Sequence, residues 1–137
     1  MDTLLHETHV TTLVPMLYLK NLAAAIEFYK KAFGAVEQWR VSNEDGGVHV
    51  AEMTIETARF RFHEEVTRNR ELSPVTLGGT SVVIGLLVAD PHAVAAKALA
   101  AGAEEISPVT DYEYGYRQGT VKDPFGHYWQ VERKLAM

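Results

Sequence analysis

The sequence contains no cysteine among its 137 residues. Disulfides, thiolate metal sites and cysteine nucleophiles are therefore excluded. It also lacks a long apolar run. The longest charge-free stretch, residues 72–89, is broken by Ser73, Pro74, Thr76, Gly78, Gly79, Thr80 and Ser81. Only residues 82–89 are free of polar side chains, far short of the ~20 that a membrane span needs. A basic surplus is missing as well: 13 Lys and Arg stand against 18 Asp and Glu, a net charge of −5. That argues against a general nucleic-acid binder, which needs a basic stripe to displace counterions. The first ten residues carry neither a positive n-region nor a continuous apolar h-region. No secretory leader is expected, and the cytoplasm is the expected compartment. Gly78-Gly79-Thr80 has neither the length nor the lysine of a phosphate-binding loop.

What is present is the mix of a folded domain, 47% hydrophobic and 23% charged. The length predicts a single domain over residues 1–137. Residues 11–19 read as a buried strand, and Pro15 demotes it to a sheet edge or imposes a bulge. Asn21 is a helix N-cap, Leu22, Ile26, Tyr29 and Phe33 recur at helical spacing, and Gly34 marks the stop. Residues 35–41, 48–55 and 59–63 read as strands, the last two joined by a short connection at Glu56-Thr57. Residues 66–80 mix Arg68, Arg70, Pro74 and a Gly pair, and read as a linker. The grammar then repeats. Residues 81–89 form a strand, Asp90-Pro91 opens a helix, and Gly102 closes it. Strands follow at 104–109, 116–122 and 127–133, the last pair joined by Asp123-Pro124-Phe125-Gly126.

The two halves, about 11–65 and 81–134, have the same βαβββ order. Residues 14–32 align with 83–101 at a constant spacing of 69, and Phe60 and Phe62 match Trp129 and Val131 at the same spacing. Each unit has an apolar sheet face that it cannot cover alone. Two units closing on one another bury most of it and leave a cleft between the sheets.

Three segments carry a family resemblance: LKNLAAAIEFYKKAFGA from Leu19, LLVADPHAVAAKALAAGA from Leu86, and GTVKDPFGHYWQVE from Gly119. In these the chain resembles the vicinal oxygen chelate superfamily, the group of glyoxalase I, extradiol dioxygenases and fosfomycin- and bleomycin-resistance proteins. It looks most like the bleomycin-resistance-like subgroup, some of whose relatives carry a 3-demethylubiquinone-methyltransferase name. The resemblance implies an α+β fold with two βαβββ modules forming a curved mixed β-sheet half-barrel around a cleft. It also implies a homodimer. Metal-dependent members place one ligand on the first and one on the last strand of each module. Carried over, those positions are Val14, Arg61, Val83 and Gln130. Valine has no donor atom, arginine repels a cation, and glutamine is a weak neutral donor. No metal or other cofactor is therefore expected.

The residues themselves suggest a cleft. Arg59, Arg61 and His63 alternate with Phe60 and Phe62, so the phenylalanines face the helix and the polar set faces away. Arg61 would hold an anionic or carbonyl-bearing ligand by forked hydrogen bonds, or would simply be solvated. On the same reading Met16, Tyr18, Trp39 and Leu87 supply apolar contact, and His63, Tyr128 and Gln130 polar contact. Trp129 has the opposite parity and reads as core. His6, His9 and His92 read as solvated, and His127 as a hydrogen-bond partner of its turn. His49 and Glu52 have opposite parity and point to opposite faces. The expected function is metal-independent binding of an unknown small molecule, without nucleic acid or membrane. The alternative is a metal-dependent lyase, isomerase or dioxygenase with a rearranged site from His63, Glu64, Glu132 or His127. A ligand-free structural or regulatory dimer is the third reading.

Overall fold

The computed structural model describes residues 9–136. His6 lies outside them. The first module runs β1 (Met16–Leu19), α1 (Leu22–Phe33), β2 (Val36–Ser42), β3 (Val48–Ile55) and β4 (Ala58–Glu64). A 3-10 turn (Thr67–Asn69) and a one-turn helix α2 (Pro74–Leu77) follow. The second module runs β5 (Val83–Leu87), α3 (Pro91–Ala101), β6 (Glu104–Asp111), β7 (Tyr116–Lys122) and β8 (Tyr128–Lys134). The sheets have strand orders β1-β4-β3-β2 and β5-β8-β7-β6. In each, the first strand pairs parallel with the last and the other ladders are antiparallel. This is the predicted α+β pair of βαβββ modules. The two four-stranded sheets remain separate and do not close into a barrel.

The internal repeat is carried into the register. Met16 lies opposite Arg61 and Gly85 opposite Gln130, the same pairing shifted by 69 residues. The first strand is shorter than expected. It begins at Met16 rather than at residue 11, immediately after Pro15, which has no N–H to give a ladder. The Pro15 carbonyl still accepts from Arg61 N–H, and β1 is a sheet edge, the place where proline is tolerated. Val14 consequently lies outside the strand, which removes it from the first-strand position assigned by the resemblance.

Caps place both main helices. Asn21 Oδ1 accepts from Ala24 N–H, and Asp90 Oδ1 from Ala93 N–H, each at 3.1 Å. Gly34 stops α1 at φ 67°, a conformation that costs other residues strain. The two helices pack on one another and on the sheets. Tyr29 of α1 is fully buried among Phe60, Phe62, Phe125 and Trp129. Burying each such ring stabilises the fold by roughly 1.5–3 kcal/mol.

The two modules are also tied by one carboxylate. Asp123, 3% exposed, accepts from Tyr29 Oη at 2.6 Å and Trp129 Nε1 at 2.9 Å. Its other oxygen accepts from the Phe125 and His127 backbone N–H groups, each at 2.9 Å. His127 departs from the expectation. Its backbone closes the turn, but its ring Nε2 reaches the first module and donates to the Tyr18 carbonyl at 3.0 Å. The linker is ordered too: Glu65 accepts from Ser73 N–H and Oγ, and Ser73 is fully buried. Among the described residues no helix is long and apolar enough to cross a membrane.

Candidate functional site

The helices cover one face of each sheet and leave the other free. On β4, Phe60 and Phe62 are buried beneath α1, while Arg59, Arg61 and His63 take the helix-free face, as the alternation predicts. A two-residue turn sets what stands beside them. Glu56-Thr57 joins Ile55 to Ala58, which places Glu52 opposite Arg61. Arg61 Nε donates to Glu52 Oε1 at 2.9 Å, and its guanidinium lies 5.7 Å from the centre of the Trp39 ring. Glu52 is nearly buried, its side chain 9% exposed against 37% for Arg61. The guanidinium's remaining nitrogens have no partner among the described residues.

Further along the same face, Tyr18 Oη donates to Glu71 Oε2 at 2.8 Å. Glu71 accepting that proton raises the Tyr18 hydroxyl above its ordinary value, with burial and the charge adding to it. The Tyr18 bond, helped by Asn69 and the nearby His63, holds the Glu71 carboxyl below the usual carboxylate range. His63 lies 5.5 Å from Tyr18 ring to ring, and its Nδ1 donates to the Glu64 carbonyl. That bond leaves Nε2 as the acceptor nitrogen of the neutral ring.

Of the eight residues proposed from sequence, five therefore share one face: Met16, Tyr18, Trp39, Arg61 and His63. Leu87, Tyr128 and Gln130 occupy the corresponding face of the second sheet, where Gln130 lies opposite Gly85 and Lys122 approaches the Tyr128 ring at 5.9 Å. Members of the two sets enter different hollows. Met16 and Tyr18 line a cavity of about 360 Å3, and Tyr128 lines another of about 460 Å3. The largest of these cavities, about 680 Å3, lies between the modules and is lined by none of the eight. Glu52, Thr54, Arg59 and Phe60 form its first wall, and Ile84, Gly85, Leu86 and Trp129 its second.

Sequence reasoning missed Glu52 and Glu71. A signal existed for Glu52: a two-residue hairpin turn at Glu56-Thr57 fixes the register that brings it to Arg61. Glu71 lies in the segment read as a linker, and no periodic signal pointed to it. His49 and Glu52 do take opposite faces. His49 pairs with Glu64 at 3.4 Å, and Glu52 with Arg61.

The residues at the family's ligand positions do not fit a divalent metal. Val14 and Val83 offer no donor, and Arg61 presents a cation already held by Glu52. The rearranged set of His63, Glu64, Glu132 and His127 diverges as well: Glu64 turns to His49 and Asn43, His63 Nδ1 to the Glu64 carbonyl, and His127 to the Tyr18 carbonyl. Among the described residues no three His, Asp or Glu side chains converge.

Paired βαβββ modules with a cleft between them define a class of α+β protein. Residues 8–131 match the Glyoxalase/Bleomycin resistance protein/Dioxygenase superfamily, and the chain belongs to it. It is 39% identical over 122 residues to the uncharacterized protein Mb0911c of Mycobacterium bovis, covering 87% of this chain and 80% of that one. The X-ray structure of a gene product from Arabidopsis thaliana, At5g48480, is similar at 31% identity and a TM-score of 0.70, over 90% of this chain and 98% of that one. The fold is also that of the fosfomycin resistance protein FosX from Listeria monocytogenes, at 16% identity and a TM-score of 0.67, over 92% and 94% of the two chains.

Proposed function

We propose that the chain is a metal-independent small-molecule-binding protein whose ligand lies in the cleft between its β-modules. The observation that carries this reading is the cavity of about 680 Å3 with one wall from each module. Its size suits a small molecule, and its lining mixes apolar side chains such as Ile55, Ile84 and Leu86 with polar ones such as Gln38, Glu52, Thr54 and Arg59 that would fix orientation. Arg61, Tyr18 and His63 lie outside its lining, further along the same sheet face, and would supply hydrogen bonds to ligands that extend beyond it. The protein acts as a homodimer in the cytoplasm on this reading. Exposed Trp39, Val83 and Leu87, 38%, 53% and 73% accessible, give the helix-free faces apolar surface for a second copy to cover.

The reading is tested on untagged protein by elemental analysis and thermal shift, followed by a metabolite screen and light scattering. Expected are no stoichiometric metal, no stabilisation by added Zn, Ni, Mn or Fe, and saturable stabilisation by at least one small molecule. Thr54→Phe, which fills the cavity, should abolish that stabilisation. Stoichiometric metal that raises Tm would overturn the reading in favour of a lyase, isomerase or dioxygenase. Stabilisation by no ligand would favour a structural dimer.

A further inference from the structure

Among the described residues four polar side chains are buried: Glu52, Ser73, Asp123 and His127. Three of them are fully engaged within the fold. Asp123 accepts four hydrogen bonds, Ser73 caps α2 and bonds Glu65, and His127 bonds the Tyr18 carbonyl. Glu52 differs. It is 7% exposed, its Oε1 accepts from Arg61, and its Oε2 has no partner among the described residues. No buried side-chain oxygen is left unbonded among those residues, so Oε2 retains its access to open space. That space is the inter-module cavity, which Glu52 lines. A carboxylate this deep, half satisfied, is an acceptor aimed at a donor that the chain does not supply.

The same cavity holds the complementary group. Arg59 lines it, is exposed, and has no ion-pair partner among the described residues. It lies two residues from Arg61 on one face of β4, so its Cα stands about 7 Å along the strand from the Glu52–Arg61 pair. Arg61 already neutralises Glu52, so the free groups include an acceptor oxygen of Glu52 and the Arg59 guanidinium, with Glu56 and Thr57 of the hairpin turn also on the lining. Between them the wall from the second module is apolar, formed by Ile84 and Leu86. At Gly85 a side chain would crowd Glu132, its Cβ lying 3.2 Å from Glu132 Oε2.

We propose that this cavity takes a small amphipathic zwitterion, its amine donating to Glu52 Oε2, its carboxylate on Arg59, and its apolar body against Ile84 and Leu86. This rests on the binding reading above and specifies the ligand class.

The test uses three matched probes: 4-(aminomethyl)benzoate, 4-methylbenzoate and 4-methylbenzylamine. Each is titrated into the full-length 15N-labelled protein and followed by amide shifts. The zwitterion should bind about tenfold tighter than either singly charged probe, with shifts at Thr54, Arg59, Gly85 and Leu86. Glu52→Gln should remove its advantage over 4-methylbenzoate. Arg59→Ala, at an exposed position that leaves the fold intact, should remove its advantage over 4-methylbenzylamine. Shifts at these amides with equal affinities for all three probes would overturn the ligand class and leave the binding reading standing. Shifts elsewhere, or none, would overturn both.

Discussion

Replacing Asp123 by alanine should be among the costliest single changes in this protein. The side chain accepts four hydrogen bonds and is 3% exposed. Its loss strands the Tyr29 hydroxyl and the Trp129 indole N–H in the aromatic core, where water does not replace the acceptor. Each stranded donor costs about 1–3 kcal/mol. The two backbone donors of the Asp123-Pro124-Phe125-Gly126 turn lie nearer solvent and add less. Relief of a buried carboxylate's desolvation offsets part of the loss. The balance is about 3–5 kcal/mol. With roughly 2.1 cal/mol/K of unfolding entropy per residue, that is a fall in Tm of about 10–17 °C for 137 residues. Tyr29→Phe removes one donor and leaves three, so it should cost only about 1 kcal/mol. In the double variant the two losses should fall short of additive, because the stranded hydroxyl is already gone. Urea unfolding of the four proteins measures this. An Asp123→Ala protein within about 1 kcal/mol of the parent, or strictly additive losses, would refute the reasoning.

Further consequences concern pH and backbone space. Burial raises the Tyr29 hydroxyl well above the ordinary value of 10.0, with the Asp123 charge adding to it. Above pH 10 the unfolded chain therefore ionises at Tyr29 while the folded chain does not. Stability falls with rising pH, by up to about 1.4 kcal/mol per unit, and Tyr29→Phe should flatten that part of the slope measured by denaturant titration. Glu71 behaves oppositely. Its lowered value supplies stability above the ordinary carboxyl value of 4.5 that is lost as pH falls through the folded one, and Tyr18→Phe should return its NMR titration toward 4.5. Gly126→Ala should lower stability by about 2–4 kcal/mol in thermal melts. Its φ is 96°, and a Cβ there would stand 2.7 Å from Pro74 Cβ.

The modules were legible in the sequence because their signals are local or periodic. Asn21, Gly34, Asp90 and Gly102 mark helix ends by side-chain acceptors and glycine conformations that need no tertiary partner. The alternation from Arg59 to His63 assigned its two faces correctly for the same reason. The site was less legible. Whether Gln130 and Arg61 share a hollow depends on how two sheets are set against each other, and no residue spacing encodes that. Pro15 shows a second limit. Its flanking apolar residues read as strand, yet the ladder starts only beyond it.

The repeated fold places an ion pair at one cross-strand position in the first module and not at its counterpart in the second. Arg61 and Gln130 are equivalent, and their cross-strand neighbours are Glu52 and Thr120. The first module thus carries an ion pair where the second carries two neutral groups. The hairpin turns differ in the complementary sense. The first is the two-residue Glu56-Thr57, which leaves the end of β4 open and lets Arg59 line the inter-module cavity. The second spans residues 123–127 and folds inward, because Asp123 must reach Tyr29 and Trp129. One turn leaves an opening and the other forms a clamp, on the same order of strands. Transplanting the clamp makes the division testable. Replacing Glu56-Thr57 by Asp-Pro-Phe-Gly-His should obstruct the cavity and weaken small-molecule binding while leaving the Asp123 cluster, and the near-ultraviolet signal of Trp129, unchanged. Unimpaired binding in that variant would show that the ligand sits elsewhere on the sheet face.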